Sequence, residues 1–269
     1  MIYFVAALPS EARPLIHHYD LKPVPHSGPF KVYRRADRCL IVSGIGKIRS
    51  ANAVAFLHSF SGHVQNQIWI NIGIGGHSER AVGEGILAHK ITDRASGESW
   101  YPPILFDLPC PTESVLTVDR AETKYPEPYV YEMEAAGFYD AALRFSTAEL
   151  VQCYKIISDN RSSSPEHISA AWVERLIEQN LKVIDDLVRK IEKTASELPN
   201  VELPLHEFQS FLDRWHFTVT EQHQLRRLLL RLKTLEPRAG FWPELARLPK
   251  SKDVLDALEN RINLSPVHL

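Results

Sequence analysis

"IWINIGIGG", residues 68–76, is a short isoleucine-rich run that ends in a cluster of glycines. It is too short for a core helix and apolar at neighbouring as well as alternate positions. Such a run reads as a strand covered on both faces of a sheet. Working outward, runs of the same kind recur: "IYFVAAL" (2–8), "CLIVSGIG" (39–46), "GILAHKITD" (85–93), "SVLTVD" (114–119) and "CYKIISD" (153–159). Helical patterns separate several of them: "EARPLIHHY" (11–19), "IRSANAVAFLHSF" (48–60) and the segment after Glu134. Strands alternating with helices predict an α/β sandwich with a largely parallel or mixed sheet. Residues 93–128, rich in proline and aromatics, otherwise read as loops.

A long helix follows. "SSSPEH" (162–167) offers serine caps and an early proline, and "ISAAWVERLIEQNLKVIDDLVRKIEKTASEL" (168–198) keeps Trp172, Leu176, Ile177, Leu181, Ile184, Leu187, Val188 and Ile191 on one face. "PNVELP" (199–204) breaks the pattern twice with proline, which places a boundary there. Residues 205–269 show no strand pattern and predict a helical C-terminal extension of three short amphipathic helices. In "LRRLLLRLK", Leu225, Leu228, Leu229 and Leu232 form an apolar stripe opposite an arginine face. The expected units are therefore 1–198 and 205–269.

Composition narrows the function. The chain has 269 residues, 44% of them hydrophobic and 24% charged, with 31 basic and 33 acidic side chains for a net charge of −2. That balance gives no bulk attraction for nucleic acid or an anionic membrane. No apolar run approaches the roughly 20 residues that span a bilayer. The N-terminal "MIYFVAALPSEARPL" lacks a basic leader and reads as a buried first strand rather than a signal peptide. Cys39, Cys110 and Cys153 are far apart and odd in number, as reduced thiols in a cytoplasmic protein would be. No histidine or cysteine spacing suits a metal, and no metal or organic cofactor is expected.

Three acids fall just past strand ends or at a helix start that follows one: Glu11, Glu134 in "YEMEA", and Asp159 in "IISDN". Open α/β sheets bind ligands in the crevice outside strand ends. Glu132 and Glu134 also suit a helix start, where the macrodipole favours acids. Gly44, Gly46, Gly73, Gly75 and Gly76 end strands as well, allowing tight turns and close approach. The ordered set "SGIGK", "NIGIGG", "EMEA" and "ISD" resembles the purine nucleoside phosphorylase and methylthioadenosine/S-adenosylhomocysteine nucleosidase superfamily over roughly residues 1–195.

The resemblance implies a three-layer α/β/α sandwich with a central mixed sheet, carrying the helical extension. It also implies cleavage of the N-glycosidic bond of a purine nucleoside or nucleoside thioether by a cytoplasmic homodimer. Glu11 would help activate water, Met133 would pack on the ribose and Glu134 would grip its hydroxyls. Asp159 would donate a proton to the purine N7, oriented by Ser158, with Ile74 and Gly75 lining the same place. The chain departs from the pattern at Asn71 and Ile74, where phosphate-using members carry Arg and Ser, and at Lys155, where the nucleosidases carry Arg. Water is the expected nucleophile. A phosphorylase drawing on Arg13, Lys47 or Arg49 is the alternative, and a non-catalytic nucleoside-binding or interaction protein is a third reading. Trp100, Tyr101 and Phe106 are the candidates for stacking on the base.

Overall fold

The computed structural model describes residues 1–61, 66–163, 168–198, 205–235 and 245–264. Its first strand, β1 (Ile2–Ala6), is buried along its whole length. Tyr3 and Val5 enter one core, and Ile2, Phe4 and Ala6 enter another on the opposite face. Side chains alternate across a strand, so a continuous apolar run serves two cores at once. The chain then forms α1 (Pro9–His18), the edge strands β2 (Lys22–Pro23) and β3 (Lys31–Arg35), β4 (Arg38–Val42), α2 (Lys47–Ser61) and β5 (Ile68–His77). It continues through β6 (Gly85–Asp93), β7 (Ser99–Trp100), β8 (Thr112–Thr117), β9 (Val130–Glu132), α3 (Ala135–Ala142), β10 (Val151–Asn160) and α4 (Ala170–Glu197).

The sheet is mixed. Its order is β2–β3–β4–β1–β5–β9–β8–β6–β10, with β7 on β6. β10 also returns to pair with β5, so β5, β9, β8, β6 and β10 close into a ring. β1, β4, β5 and β10 are joined by parallel pairings, while β6 runs antiparallel to β10. Helices α2 and α3 cover one face with Ala53, Val54, Leu57 and Phe138. Helices α1 and α4 cover the other with Leu15, Val173, Leu176, Ile184 and Leu187. Each fully buried side chain of this size is worth about 1.5–3 kcal/mol. The expected three-layer sandwich is the architecture found.

Several local readings change. "KVYRR" did not read as a strand because only Val32 is buried in β3, the rest being the charged face of a sheet edge. Glu132 ends β9 rather than starting a helix, and α3 begins at Ala135. The cap of α4 is Ser169, whose hydroxyl accepts from Trp172 N at 3.2 Å, instead of the serines of "SSSPEH"; residues 164–167 of that stretch lie outside the described residues.

The chain divides into two compact units, Met1–Leu198 and Pro199–Leu269. The second contains α5 (Leu205–Arg214), α6 (Val219–Leu235) and α7 (Ser251–Leu264). Its core is its own: Phe211, Trp215, Leu225, Leu228, Leu229, Leu232, Val254, Leu258 and Ile262 pack together. Thr218 and Glu221 cap α6 reciprocally, at 2.8 and 3.3 Å. Of the stretch "EPRAGFWPELARLP" (236–249), expected from its prolines and glycine to be a turn joining two of the helices, residues 236–244 lie outside the described residues.

Because the leucine stripe of α6 is covered within its own unit, truncation after Leu198 is expected to leave a soluble, folded protein. Its thermal transition should lie within a few degrees of the matching transition of the full chain. Circular dichroism melts of both proteins check this, and an aggregated truncated chain would refute it.

Candidate active site

Seven of the residues singled out from the sequence line one pocket of about 200 Å³ at the carboxyl ends of β1, β5 and β10: Glu11, Ile74, Gly75, Met133, Glu134, Ser158 and Asp159. Ala7, Leu8, Ile45, Gly76, Tyr125, Tyr131 and Glu132 are also in its wall.

Glu11 sits in the first turn of α1 and is 3% exposed. Its Oε2 accepts from the backbone N–H groups of Ala7 and Leu8 at 2.9 and 2.8 Å, and its Oε1 from Ile74 N at 3.0 Å. It is thus a helix-start acid turned toward β5. Burial raises its pKa, opposed by the nearby charge of Lys155 and by these hydrogen bonds. Gly73 makes the approach possible, since a Cβ there would stand 2.8 Å from Glu11 Oε1 and 3.4 Å from Lys155 Nζ.

Glu134 precedes α3, and its Oε1 accepts from Gly46 N at 2.8 Å. Gly46 has φ +106°, a turn that presents its N–H at the end of the loop leading from β4 to α2. Burial pushes Glu134 up to about 7; Glu132 and Glu11 push the same way, while Lys155 opposes them.

Beneath the pocket lies Lys155, a lysine only 1% exposed. Its Nζ is 2.8 Å from Glu132 and 4.0 Å from Glu134. Burial pulls its pKa down, but the carboxylates outweigh burial and hold the ammonium charged. Glu132 is held below the usual carboxylate range: burial pushes it up, and Lys155, Thr117 and backbone N–H groups prevail. It accepts from Thr117 at 2.5 Å and from the N–H groups of Glu134 and Ala135 at 2.9 and 2.8 Å. The helix-start role read for Glu132 is therefore real, and the ion pair is additional.

Asp159 and Ser158 are adjacent on β10 yet both reach the pocket. The pairing of β10 with β5 slips between Ile157 and Asp159, leaving Ser158 as a bulge that re-aims the strand. Ser158 Oγ lies 2.5 Å from Asp159 Oδ1 and 3.3 Å from Gly75 O. The Tyr125 hydroxyl donates to Asp159 Oδ2. Tyr125 is 1% exposed and has φ +43°, a left-handed conformation that is costly for an aromatic residue. A Cβ at Gly76 would come 2.5 Å from its ring, so a glycine leaves the space it occupies. Sequence reading missed Tyr125; its one mark was the glycine pair at 75–76.

The stacking candidates fall elsewhere. Tyr101 is 66% exposed, Trp100 pairs with β6 and Phe106 packs on the α4 side of the sheet, so none of them lines the pocket. The phosphate cations are likewise absent from its wall. Arg13 is bonded to Glu174, Lys47 lies 2.8 Å from Asp93 and 3.0 Å from Asp119, and Arg49 borders an adjoining cleft. Asn71 is engaged, its Nδ2 donating to Val5 O at 3.0 Å. Among the described residues, no group of three or more His, Cys, Asp or Glu is arranged to hold a metal ion, and no helix is long and apolar enough to cross a membrane.

This sheet has the fold of several solved nucleosidase structures. Among solved structures, the chain is similar to the 5′-methylthioadenosine nucleosidase of Arabidopsis thaliana, at 13% identity and TM-score 0.56 over 74% of this chain and 96% of that one. It is also similar to the 5′-methylthioadenosine/S-adenosylhomocysteine nucleosidase of S. pneumoniae, at 20% and 0.53 over 71% and 99%. Futalosine hydrolase of Helicobacter pylori matches at 14% and 0.53 over 70% and 97%. No protein-family model and no curated protein matches the chain.

Removing Lys155 would strand a buried carboxylate, a change that costs about 3–5 kcal/mol. Lys155→Met is expected to lower stability by that order at neutral pH. The loss should shrink as the pH falls and the carboxylates take up protons. Urea denaturation at pH 7.5 and 5 measures both, and a pH-independent loss would point to packing instead of charge.

Proposed function

We propose that the chain hydrolyses the N-glycosidic bond of a purine nucleoside or nucleoside thioether, with water as nucleophile. One observation carries the reading. Glu11, Glu134 and Asp159 share a pocket whose wall also includes Glu122 and Glu132 and, among the described residues, contains no lysine or arginine. A phosphate dianion would meet carboxylates with no cation in the wall to offset them. Water suffers no such repulsion. The similar solved structures, nucleosidases and a hydrolase by name, support the same chemistry.

The roles follow from where charge develops. As the base leaves, the anomeric carbon becomes oxocarbenium-like, and a pocket of carboxylates stabilises that growing positive charge. Glu134 accepts hydrogen bonds from the ribose hydroxyls, and Met133 packs on the sugar. Glu11, with its pKa raised by burial, takes the proton of the attacking water. Asp159 protonates the leaving purine at N7. Ser158 donates to Asp159 Oδ1, which leaves Oδ2 to carry the proton toward N7. Ile74 and Gly75 form the floor. The reading includes a cytoplasmic homodimer, and Ile48 and Phe60 of α2, 72% and 40% exposed, supply apolar surface for it.

Incubation with a nucleoside panel in phosphate-free buffer should release free base and free sugar, and strict dependence on phosphate would favour a phosphorylase. Asp159→Asn is nearly isosteric but cannot donate the proton. Its turnover should fall about 10²–10⁴-fold, with substrate affinity within a few-fold. Near-normal turnover would remove the general acid.

The pH profile is a second test. Glu134 titrates at about 7, neutral below and charged above, and Glu11 is raised as well. kcat/KM should therefore rise with pH through about 7. In Glu134→Gln one of the like charges is gone, so the acid limb should move to lower pH while activity drops. An unmoved limb would assign it to another group.

A further inference from the structure

A second cleft, of about 570 Å³, opens beside the pocket and shares Ala7, Leu8 and Ile45 with it. It lies where β3 starts, β4 ends and α2 begins. Its other walls include Phe30, Ser43 and Gly44, and its charged residues are Lys31 and Arg49 alone. No acid lines it. Lys31 stands opposite Val42 in the β3–β4 pairing, which fixes it at the rim. Arg49, in the first turn of α2, lies across Gly44: a Cβ there would meet Arg49 Cδ at 3.2 Å, and Gly44 has φ +82°. Nearby Arg13, Arg35 and Lys47 each have a carboxylate partner. Among the described residues, neither Lys31 nor Arg49 forms an ion pair.

The two cavities thus have opposite character across one apolar wall. The pocket holds acids and no cation; the cleft holds two cations and no acid. With the base at Asp159 and the ribose between Glu11 and Glu134, the substituent left to project is the one on the 5′ carbon, and its way out passes Leu8 and Ile45. We infer that the cleft binds an anionic group, carboxylate or phosphate, at the end of the nucleoside's 5′ arm, with Arg49 as its principal ligand and Lys31 beside it. This inference rests on the nucleosidase reading of the pocket. A guanidinium fork suits either anion. The separation of charge also sets polarity: the arm cannot enter the carboxylate pocket, so the substrate binds one way round.

The test uses the full chain and a matched pair, 5′-methylthioadenosine and 5′-carboxymethylthioadenosine, which differ only in the charge at the end of the arm. kcat/KM and binding heats are measured for the wild type and for Arg49→Gln, Lys31→Gln and the double variant. The anionic nucleoside should be favoured by about tenfold or more, the scale of a charge-assisted hydrogen bond. The double variant should lose that preference while handling the neutral nucleoside within about twofold, and added salt should erode the preference. Adenosine 5′-phosphate tells a phosphate end from a carboxylate end, and a preference for either supports the inference. Equal handling of the pair, or a preference that survives the double variant, overturns it while leaving the nucleosidase reading intact. Cleavage of the neutral nucleoside that requires inorganic phosphate also overturns it, because the cations would then serve a free anion. If neither nucleoside binds or is cleaved, the nucleosidase reading itself fails and takes this inference with it.

Discussion

The ammonium of Lys155, 2.8 Å from Glu132 and 1% exposed, is the charge around which the first unit is arranged. Three carboxylates, Glu11, Glu132 and Glu134, are buried near it, and among the described residues no cation lines the pocket above. Taking an ion out of water costs several kcal/mol even after relaxation, and only close pairing with full hydrogen bonding offsets it. Glu132 meets that requirement, with Lys155, Thr117 and two backbone N–H groups around it. The strand pairings serve the same end. Lys155 lies beside Gly73 of β5, and the missing side chain there lets Glu11 and Lys155 both come close.

One ammonium cannot balance three carboxylates. Burial is the main cause that raises Glu11 and Glu134, and the charges of Glu132 and Glu11 add to it at Glu134, which can therefore hold a proton near neutrality that an exposed carboxylate would have lost. A site that must take a proton from water and stabilise a cationic transition state benefits from that imbalance. Glu132 is kept ionised and inert, while its neighbours are left within reach of titration. On the proposed reading the division between structural and chemical acids is set by distance from a single lysine.

The leaving-group end depends on backbone irregularity instead. A bulge at Ser158 turns two consecutive residues toward the pocket, and Tyr125 reaches Asp159 from a left-handed backbone conformation. Both features are costly in isolation and persist because the ring of strands around them over-determines the chain path. Outside that ring, Ala7, Leu8 and Ile45 in the loops after β1 and β4 stand between the carboxylate pocket and the cationic cleft.

By itself the sequence determined the alternation of strands and helices, the proline break near 199–204, and the seven residues that gather in the pocket. Those features are local: a strand buried on both faces is apolar at most positions, and a glycine or acid at its end is visible in the chain. The order of "SGIGK", "NIGIGG", "EMEA" and "ISD" was legible for the same reason. Tertiary structure alone decided the rest. Edge strand β3 is charged because one side faces water, so it carries no strand pattern. Lys155 reads as an interruption in an apolar run until Glu132 is brought beside it from another strand. Tyr125 sits in a stretch with no regular pattern, and its partner lies 34 positions away. Pairings between distant residues depend on how the ring closes, and no local periodicity records that closure.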